Sequence, residues 1–201
     1  MRILVAFVCS VLAACAHKPA STRPYAKAAP FHYAGGHLVR VPVRINDMID
    51  AQFILDTGIG INVLSKSLCD RLGCHITGTA TGKRMSGQSL KVPLTSLPSF
   101  ELATERQTNV TFGVWEMKGF VPDSPDCRDV EGFLSLNFFE HVPFTVDYRR
   151  GEVVVENESS LKQREKDAMS VPLKLERDQD SGALTVFMPL QIPGEKANLW
   201  V

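Results

Sequence analysis

The sequence has no excess of charge of either sign, and this absence narrows the classes of partner. Its 201 residues contain 22 Lys and Arg against 22 Asp and Glu, so the formal net charge is zero. A protein that binds nucleic acid through the phosphate backbone needs a basic surface. Nucleic acid is therefore not predicted as a partner.

The sequence also lacks the residue spacings that hold metals and phosphate-bearing cofactors. The five histidines are scattered without an HExxH pattern, and the cysteine spacing fits no zinc motif. Gly78, Gly82 and Gly87 lie between polar residues, but their spacing matches neither a dinucleotide-binding turn nor a P-loop. We predict no metal and no cofactor, and we interpret the glycine-bearing stretch as a hairpin.

Residues 1–15 have the features of an export signal and are not expected to belong to the fold. Arg2 precedes a short apolar stretch at residues 3–14, whereas a membrane-spanning helix needs ~20 apolar residues. Leu12-Ala-Ala-Cys15 resembles the bacterial lipobox, at which a lipoprotein precursor is cleaved and Cys15 is acylated. The resemblance implies a membrane anchor and, with Ala16 next, an outer-membrane lipoprotein facing the periplasm. The alternative is an ordinary secretory signal that ends near a cysteine.

Residues 16–36 contain Pro, Ala, Ser and Lys without periodicity, and we predict that they form a tether. Beyond it lie Cys69, Cys74 and Cys127, in a compartment that we expect to be oxidising. Three cysteines cannot all pair within one chain. A bridge between Cys69 and Cys74 and one between Cys74 and Cys127 both stay open.

From residue 37 onward the pattern changes to short β-strands. Residues 38–45 alternate apolar and polar side chains, and a turn then leads into a second strand at residues 51–55. A short helix is predicted at residues 65–72, with Ser65 as its N-cap and Gly73 at its end. Further strands follow every 8–12 residues or so, which is typical of an all-β barrel or sandwich.

Asp56 is the most informative residue of the chain. It directly follows the apolar run Phe-Ile-Leu at residues 53–55 and precedes Thr57 and Gly58. A carboxylate among residues that normally line a core is costly to bury without compensation. Such a placement indicates that the carboxyl group of Asp56 has a functional role.

The stretch Phe-Ile-Leu-Asp-Thr-Gly at residues 53–58 resembles the active-site loop of aspartic proteases. Gly-Phe-Leu-Ser-Leu-Asn-Phe-Phe at residues 132–139 resembles the second signature of that fold, two apolar residues and a small one leading into a helix. With a glycine-bearing flap between them, residues 37–156 resemble one retropepsin-like domain of the bacterial aspartyl-protease-like kind. The resemblance implies an all-β, retropepsin-like closed barrel with one or two short helices.

The resemblance also implies roles for individual residues. Asp56 is the catalytic aspartate, Thr57 braces a paired loop through its hydroxyl, and Gly58 allows the tight turn and leaves room for a water molecule. In the second signature, Gly132, Leu134 and Ser135 support the loop. Ser135 stands where the family usually has glycine.

Peptide hydrolysis by this family requires two carboxylates that share one proton, and one domain supplies one of them. Asp56 is therefore half of a site, and the chain would need to form a homodimer, as retroviral proteases do. The other aspartates lack the context of a strand, a loop and a glycine. We interpret them as solvated turn residues: Asp47, Asp50, Asp70, Asp123, Asp126, Asp129 and Asp147.

The C-terminal segment offers another source of a second aspartate. Val-Pro-Val-Arg-Ile at residues 41–45 and the strand from Ala51 have counterparts in Met-Pro-Leu-Gln-Ile at residues 188–192 and the strand from Ala197. This pattern indicates an internal repeat at a spacing of about 146 residues. We expect residues 157–201 to be a linker and the opening hairpin of an incomplete second repeat, in a truncated gene or a fragment. The alternative is a generic β-hairpin.

Two functional hypotheses follow. The first is an envelope-anchored aspartic-type endopeptidase that acts on peptides or proteins. The second is a catalytically inactive retropepsin-like module that binds extended peptide by strand addition. A purely structural envelope lipoprotein is a third reading, but it leaves the position of Asp56 unexplained.

Overall fold

The computed structural model describes residues 27–83, 87–103, 105–191 and 198–200. These residues form mostly β-strands, with two short α-helices, α1 at Lys66–Leu72 and α2 at Glu158–Glu165. Short 3-10 turns lie at Pro125–Cys127 and Leu136–Phe139. The strands, in chain order, are β1 Lys27–Pro30, β2 His32–Ala34, β3 Leu38–Ile45, β4 Ile49–Leu55, β5 Val63–Ser65, β6 Ile76–Lys83, β7 Ser89–Leu102, β8 Glu105–Trp115, β9 Val130–Leu134, β10 Phe144–Asp147, β11 Glu152–Val155, β12 Lys174–Arg177, β13 Leu184–Phe187, β14 Pro189–Gln191 and β15 Asn198–Trp200.

Six of the strands close into a barrel. Around its wall they follow the order β3-β4-β9-β5-β8-β7, and β3 pairs with β7 to complete the circle. The alternation along β3 explains its place in the wall, because Val39, Val41 and Val43 are buried and the side chains between them are not. The predicted all-β fold, a closed barrel with one or two short helices, is confirmed.

Phenylalanine side chains fill the barrel beneath the strand that carries Asp56. Phe53 of β4 meets Phe100 edge-on with ring centroids 5.3 Å apart, and Phe100 meets Phe138 in the same way at 5.6 Å. These rings are at most 1% exposed, and buried aromatic side chains contribute a large share of the apolar area in a core. The packing therefore fixes β4 relative to the turn that follows β9.

Strand β9 inserts between β4 and β5. It runs parallel to β4, with Leu55 opposite Leu134, and antiparallel to β5, with Leu64 opposite Gly132. The insertion brings the two signature segments side by side, although they are far apart in the sequence.

The fold begins earlier than the boundary predicted at residue 37. Residues 27–34, predicted as part of the tether, form β1 and β2, which pair with β11 and β3. Ala29 and Phe31 are buried in the main core. The structure thus corrects the end of the tether. The sequence of β1 does not show the alternation of apolar and polar residues that is typical of a strand. It forms a strand because it pairs with β11, which is far away in the sequence.

The helix predicted at residues 65–72 is confirmed, including both of its ends. The side chain of Ser65 accepts a hydrogen bond from the backbone N–H of Leu68 at 3.0 Å. Gly73 adopts a left-handed conformation with φ of 64°, and its N–H donates to the carbonyl of Asp70. A residue with a side chain is disfavoured in that conformation, which explains the glycine.

Cys69, Cys74 and Cys127 are thiols in this structure, so neither pairing left open by the sequence is formed. Cys127 lies in a different apolar cluster from Cys69. Burial raises the pKa of the Cys69 thiol to about 12, and a hydrogen bond with Cys74 acts in the same direction.

The segment after the barrel consists of the exposed helix α2 and two hairpins. Strand β12 pairs with β13, and β14 pairs with β15. Pro189 lies opposite Trp200, whereas Pro42 of the first hairpin lies opposite Gln52. In the repeat alignment Trp200 corresponds to Ile54, so the two hairpins differ by two positions in register. The internal repeat remains a prediction.

Residues 1–26, which include the predicted signal peptide, the predicted lipobox at Cys15 and the first part of the predicted tether, lie outside the described residues. Among the residues that the structure describes, none of the helices has the length and apolar character needed to cross a membrane.

Candidate active site

Asp56 lies at the end of β4, on the edge where β4 and β9 run parallel. Its backbone N–H donates to the carbonyl of Leu134 at 3.0 Å. The three residues before it are mostly buried, because Phe53 and Ile54 belong to the two apolar clusters on either side of the strand. The packing of Phe53 and Ile54 and the backbone hydrogen bond to Leu134 therefore fix the position of Asp56.

The Asp56 carboxylate is held by the backbone of its own loop. Its Oδ1 atom accepts hydrogen bonds from the N–H groups of Gly58 at 2.8 Å and Ile59 at 3.2 Å. Within the described part of the chain, Oδ2 has no hydrogen-bond partner, and the residue is only half-buried. One oxygen is therefore oriented by the fold, and the other is available to water or to a second acid.

The two residues after Asp56 are exposed. A methyl group on Gly58 would lie 3.4 Å from Oδ1 of Asp56, in contact with the carboxylate, so glycine keeps this face open. The Thr57 hydroxyl makes no hydrogen bond within the described residues, and the bracing role predicted for it stays a prediction.

Gly132 of the second signature lies where the neighbouring residues leave no room for a side chain. A Cβ atom there would lie 2.3 Å from the ring of Phe53 and 2.4 Å from the carbonyl oxygen of Val63. These distances are far below van der Waals contact, so no larger residue fits without moving β4 or β5. Leu134, at the end of the same strand, is fully buried in the main core.

Ser135 is also fully buried, and its partner is Asn62, which the sequence analysis did not identify. The backbone N–H and the hydroxyl of Ser135 both donate to Oδ1 of Asn62, at 2.9 and 3.0 Å. The hydroxyl also accepts from the N–H of Asn137 at 3.2 Å, which caps the 3-10 turn. With φ of −92°, the backbone at this position does not require glycine. A lone Asn between Ile61 and Val63 was the signal that could have revealed the pair.

Most of the other aspartates are engaged elsewhere in ion pairs or backbone hydrogen bonds, but Asp50, Asp70 and Asp147 lie in β4, α1 and β10 and not in turns. The hydrogen bond from Arg106 lowers the pKa of Asp47, and the hydrogen bond from the backbone N–H of Arg150 lowers the pKa of Asp147. The remaining partners are Arg44 for Asp50, Lys66 for Asp70, the N–H of Gly35 for Asp126 and Arg40 for Asp129. These contacts leave Asp56 without a second carboxylate from this group of six.

The aspartyl protease family model matches residues 41–138, a segment that contains both signatures. Residues 41–138 belong to the aspartyl protease family. Among solved structures, the chain is similar to a retropepsin-like aspartic protease from Rickettsia conorii, with 15% sequence identity and a TM-score of 0.42. That likeness covers 64% of this chain and 87% of the other. No curated protein matches the chain.

The aspartyl protease segment thus contains Asp56, the loop residues and the supporting residues of β9, and its family is one of hydrolases. The structure brings Asp56 next to the end of β9 and links the loop to Ser135 through Asn62. The catalytic and supporting roles of these residues remain predictions.

Proposed function

We propose that this protein is an aspartic-type endopeptidase that hydrolyses peptide bonds with a pair of Asp56 residues from two copies of the chain. The observation that carries the proposal is the Asp56 carboxylate itself. One of its oxygens is oriented by two backbone amides, and its glycine-bearing loop is exposed at the end of a rigid strand. An oriented, accessible acid of this kind suits general acid–base chemistry.

The proposed mechanism uses two carboxylates about 3 Å apart, which share one proton because like charges at that distance do not both ionise. The ionised carboxylate removes a proton from a water molecule, and the oxygen of that water attacks the peptide carbonyl carbon. The protonated carboxyl donates its proton to the carbonyl oxygen. The first carboxyl then gives the proton taken from water to the amide nitrogen, and the C–N bond breaks to release the amine. One hydroxyl of the intermediate returns its proton to the second carboxylate as the new C=O bond forms, so the pair again holds one shared proton.

A homodimer supplies the second carboxylate in this proposal. A twofold axis beside Asp56 would bring the two exposed loops together, and each Thr57 hydroxyl would face the opposite loop. The exposure of Thr57 and Gly58 supports this arrangement, because an interface between two loops requires uncovered residues in each.

A module that binds peptide without cleaving it is the second candidate. This candidate is favoured by the observation that one chain supplies a single carboxylate, that of Asp56, whereas the peptidase needs two. In that case an extended peptide would bind to the protein by strand addition.

The proposal also includes the location of the protein. A lipid on Cys15 would anchor it to the outer membrane, with the barrel in the periplasm. The sequence of residues 12–15 supports this part of the proposal.

The experiment compares cleavage of unfolded casein by the wild-type chain and by Asp56→Asn, between about pH 3 and about pH 7. We expect the substitution to lower kcat/KM by about a hundred-fold or more, because an amide cannot transfer the proton. The wild-type rate should fall toward neutral pH, where the pair loses its shared proton, and should be sensitive to pepstatin. Equal cleavage by both chains would exclude the peptidase.

A mixing experiment tests the homodimer. Adding an equal amount of Asp56→Asn chain to the wild type should roughly halve its activity, since mixed dimers carry only one aspartate. Unchanged activity after long incubation would show that each chain works alone or with another source of acid.

A further inference from the structure

The hairpin of β12 and β13 contacts the segment that follows the catalytic loop. The backbone N–H of Leu184 donates to the carbonyl oxygen of Gly60 at 2.9 Å. A Cβ atom on Gly60 would lie only 2.7 Å from Cβ of Ala183. The hairpin can therefore lie this close to residue 60 only because that residue is glycine. Leu184 is 6% exposed, whereas β12 is exposed along its whole length.

Arg177 anchors the same hairpin to the turn after β9. Its Nη2 atom donates to Oε2 of Glu140 at 2.5 Å, and its Nη1 atom donates to Oδ1 of Asn137 at 3.3 Å and to the carbonyl of Gly182 at 2.6 Å. The Nδ2 atom of Asn137 donates to the carbonyl of Gly60 at 2.9 Å. The Gly60 carbonyl, the Asn137 amide and the Glu140 carboxylate form one row of polar groups, here called the acceptor strip.

The catalytic loop does not depend on this hairpin for its own geometry. The Asp56 carboxylate is held by Gly58 and Ile59, and Asn62 bonds to Ser135. If Leu184 moves away, the carbonyl of Gly60 keeps the hydrogen bond from Asn137, so no buried polar group is left unpaired.

The anchor itself is of a kind that releases readily. The side chains of Arg177 and Glu140 are 38% and 34% exposed, and ion pairs at that level of exposure contribute little to stability. The hairpin therefore resembles a bound segment that can leave and does not form part of the barrel.

We propose that the acceptor strip is a binding site for peptide segments that carry an arginine, and that residues 177–184 are its internal occupant. Glu140 selects the guanidinium, Asn137 accepts a second hydrogen bond from it, and the Gly60 carbonyl accepts a backbone N–H. This inference rests on the proposed function, for which it identifies a substrate side chain. A cavity of about 390 Å³, lined by Ile61, Asn62, Asn137, Glu140 and Arg177 among others, adjoins the strip and leaves space for further residues.

The occupant also regulates the site. A peptide in solution binds the strip only in the fraction of chains whose hairpin has moved away, so its apparent affinity is its intrinsic affinity multiplied by that fraction. The structure thus combines a recognition site for arginine with a competing segment of the same chain.

The test uses the full chain with Asp56→Asn, which removes cleavage from the measurement, and a fluorescein-labelled synthetic peptide that copies residues 174–187. Fluorescence anisotropy measures its affinity. Adding Arg177→Ala to the chain should tighten peptide binding about two- to five-fold, because the loss of an exposed ion pair releases the internal occupant by that factor. Lys174→Ala, which removes an exposed ion pair with Glu176 on the same hairpin, should leave the affinity unchanged.

Two further measurements in the Arg177→Ala chain test whether the acceptor strip selects peptides that contain arginine. The same peptide with Arg177→Ala, and the chain with Glu140→Gln added, should each bind more weakly. Equal binding of both peptides would overturn the arginine site, and equal affinity with and without Arg177→Ala in the chain would overturn the internal occupant. Casein cleavage does not enter these outcomes, so the inference and the proposed peptidase can fail separately.

Discussion

The loop after β4 and the loop after β9 lie side by side but are held in different ways. The Asp56 loop is exposed, and backbone amides hold its carboxylate. In the loop after β9, Ser135 is fully buried, and its hydroxyl and N–H donate to the side chain of Asn62. One loop leaves an oxygen of the Asp56 carboxylate accessible, and we predict that the other supports it through the hydrogen bond to the carbonyl of Leu134.

This division of roles has a consequence for mutations. Changes in the exposed loop should alter function and leave the free energy of unfolding nearly unchanged. Changes in the buried support should lower the free energy of unfolding. The following predictions test that contrast, from the largest expected effect to the smallest.

Gly132→Ala should produce the largest loss of stability. The added methyl group would overlap the Phe53 ring and the Val63 carbonyl, so we expect a loss of about 3 kcal/mol or more, or failure to fold. Urea unfolding followed by circular dichroism measures the change. The matched control is Gly78→Ala, at which a Cβ atom meets no atom within 4 Å, and its effect should stay within about 0.5 kcal/mol. Similar values for both variants would contradict the close approach.

Asn62→Ala should cost about 2 kcal/mol, because it leaves the N–H and the hydroxyl of Ser135 buried without an acceptor. Thr57→Val provides the comparison from the exposed loop and should change the free energy of unfolding by less than about 0.5 kcal/mol. If Thr57→Val destabilised the chain as much as Asn62→Ala, the contrast between the two loops would be lost.

Ser135→Gly should have the smallest effect of the three, a loss of about 1 kcal/mol measured by the same urea titration. Glycine removes the hydroxyl that bonds to Asn62 and caps the 3-10 turn, but it keeps the backbone N–H and its hydrogen bond. A stabilised Ser135→Gly chain would mean that serine strains this position.

Local patterns were sufficient to predict the strands of an all-β barrel or sandwich and the place of Asp56 directly after a strand, whereas the closed barrel was implied by the resemblance to aspartic proteases. The period-two alternation of residues 38–45 matches the burial of β3, and the apolar run before Asp56 matches β4. Ser65 and Gly73 marked the ends of α1 through capping preferences, which depend only on neighbouring residues.

The parts that were not predicted depend on contacts between distant residues. The strand β1 exists because it pairs with β11, and its own composition gives no sign of this. Asn62 has its partner in Ser135, and Arg177 has one in Glu140, both far away in the sequence. A single sequence does not reveal which polar residues meet in this way.

The insertion of β9 also determines when the site exists during folding. Strand β9 pairs with both β4 and β5, through contacts between parts of the chain that are far apart in the sequence. A nascent chain that has not yet synthesised residues 130–135 has neither the carbonyl of Leu134 that holds Asp56 nor the serine that holds Asn62. The site is therefore assembled only once residues 130–135 have paired between β4 and β5.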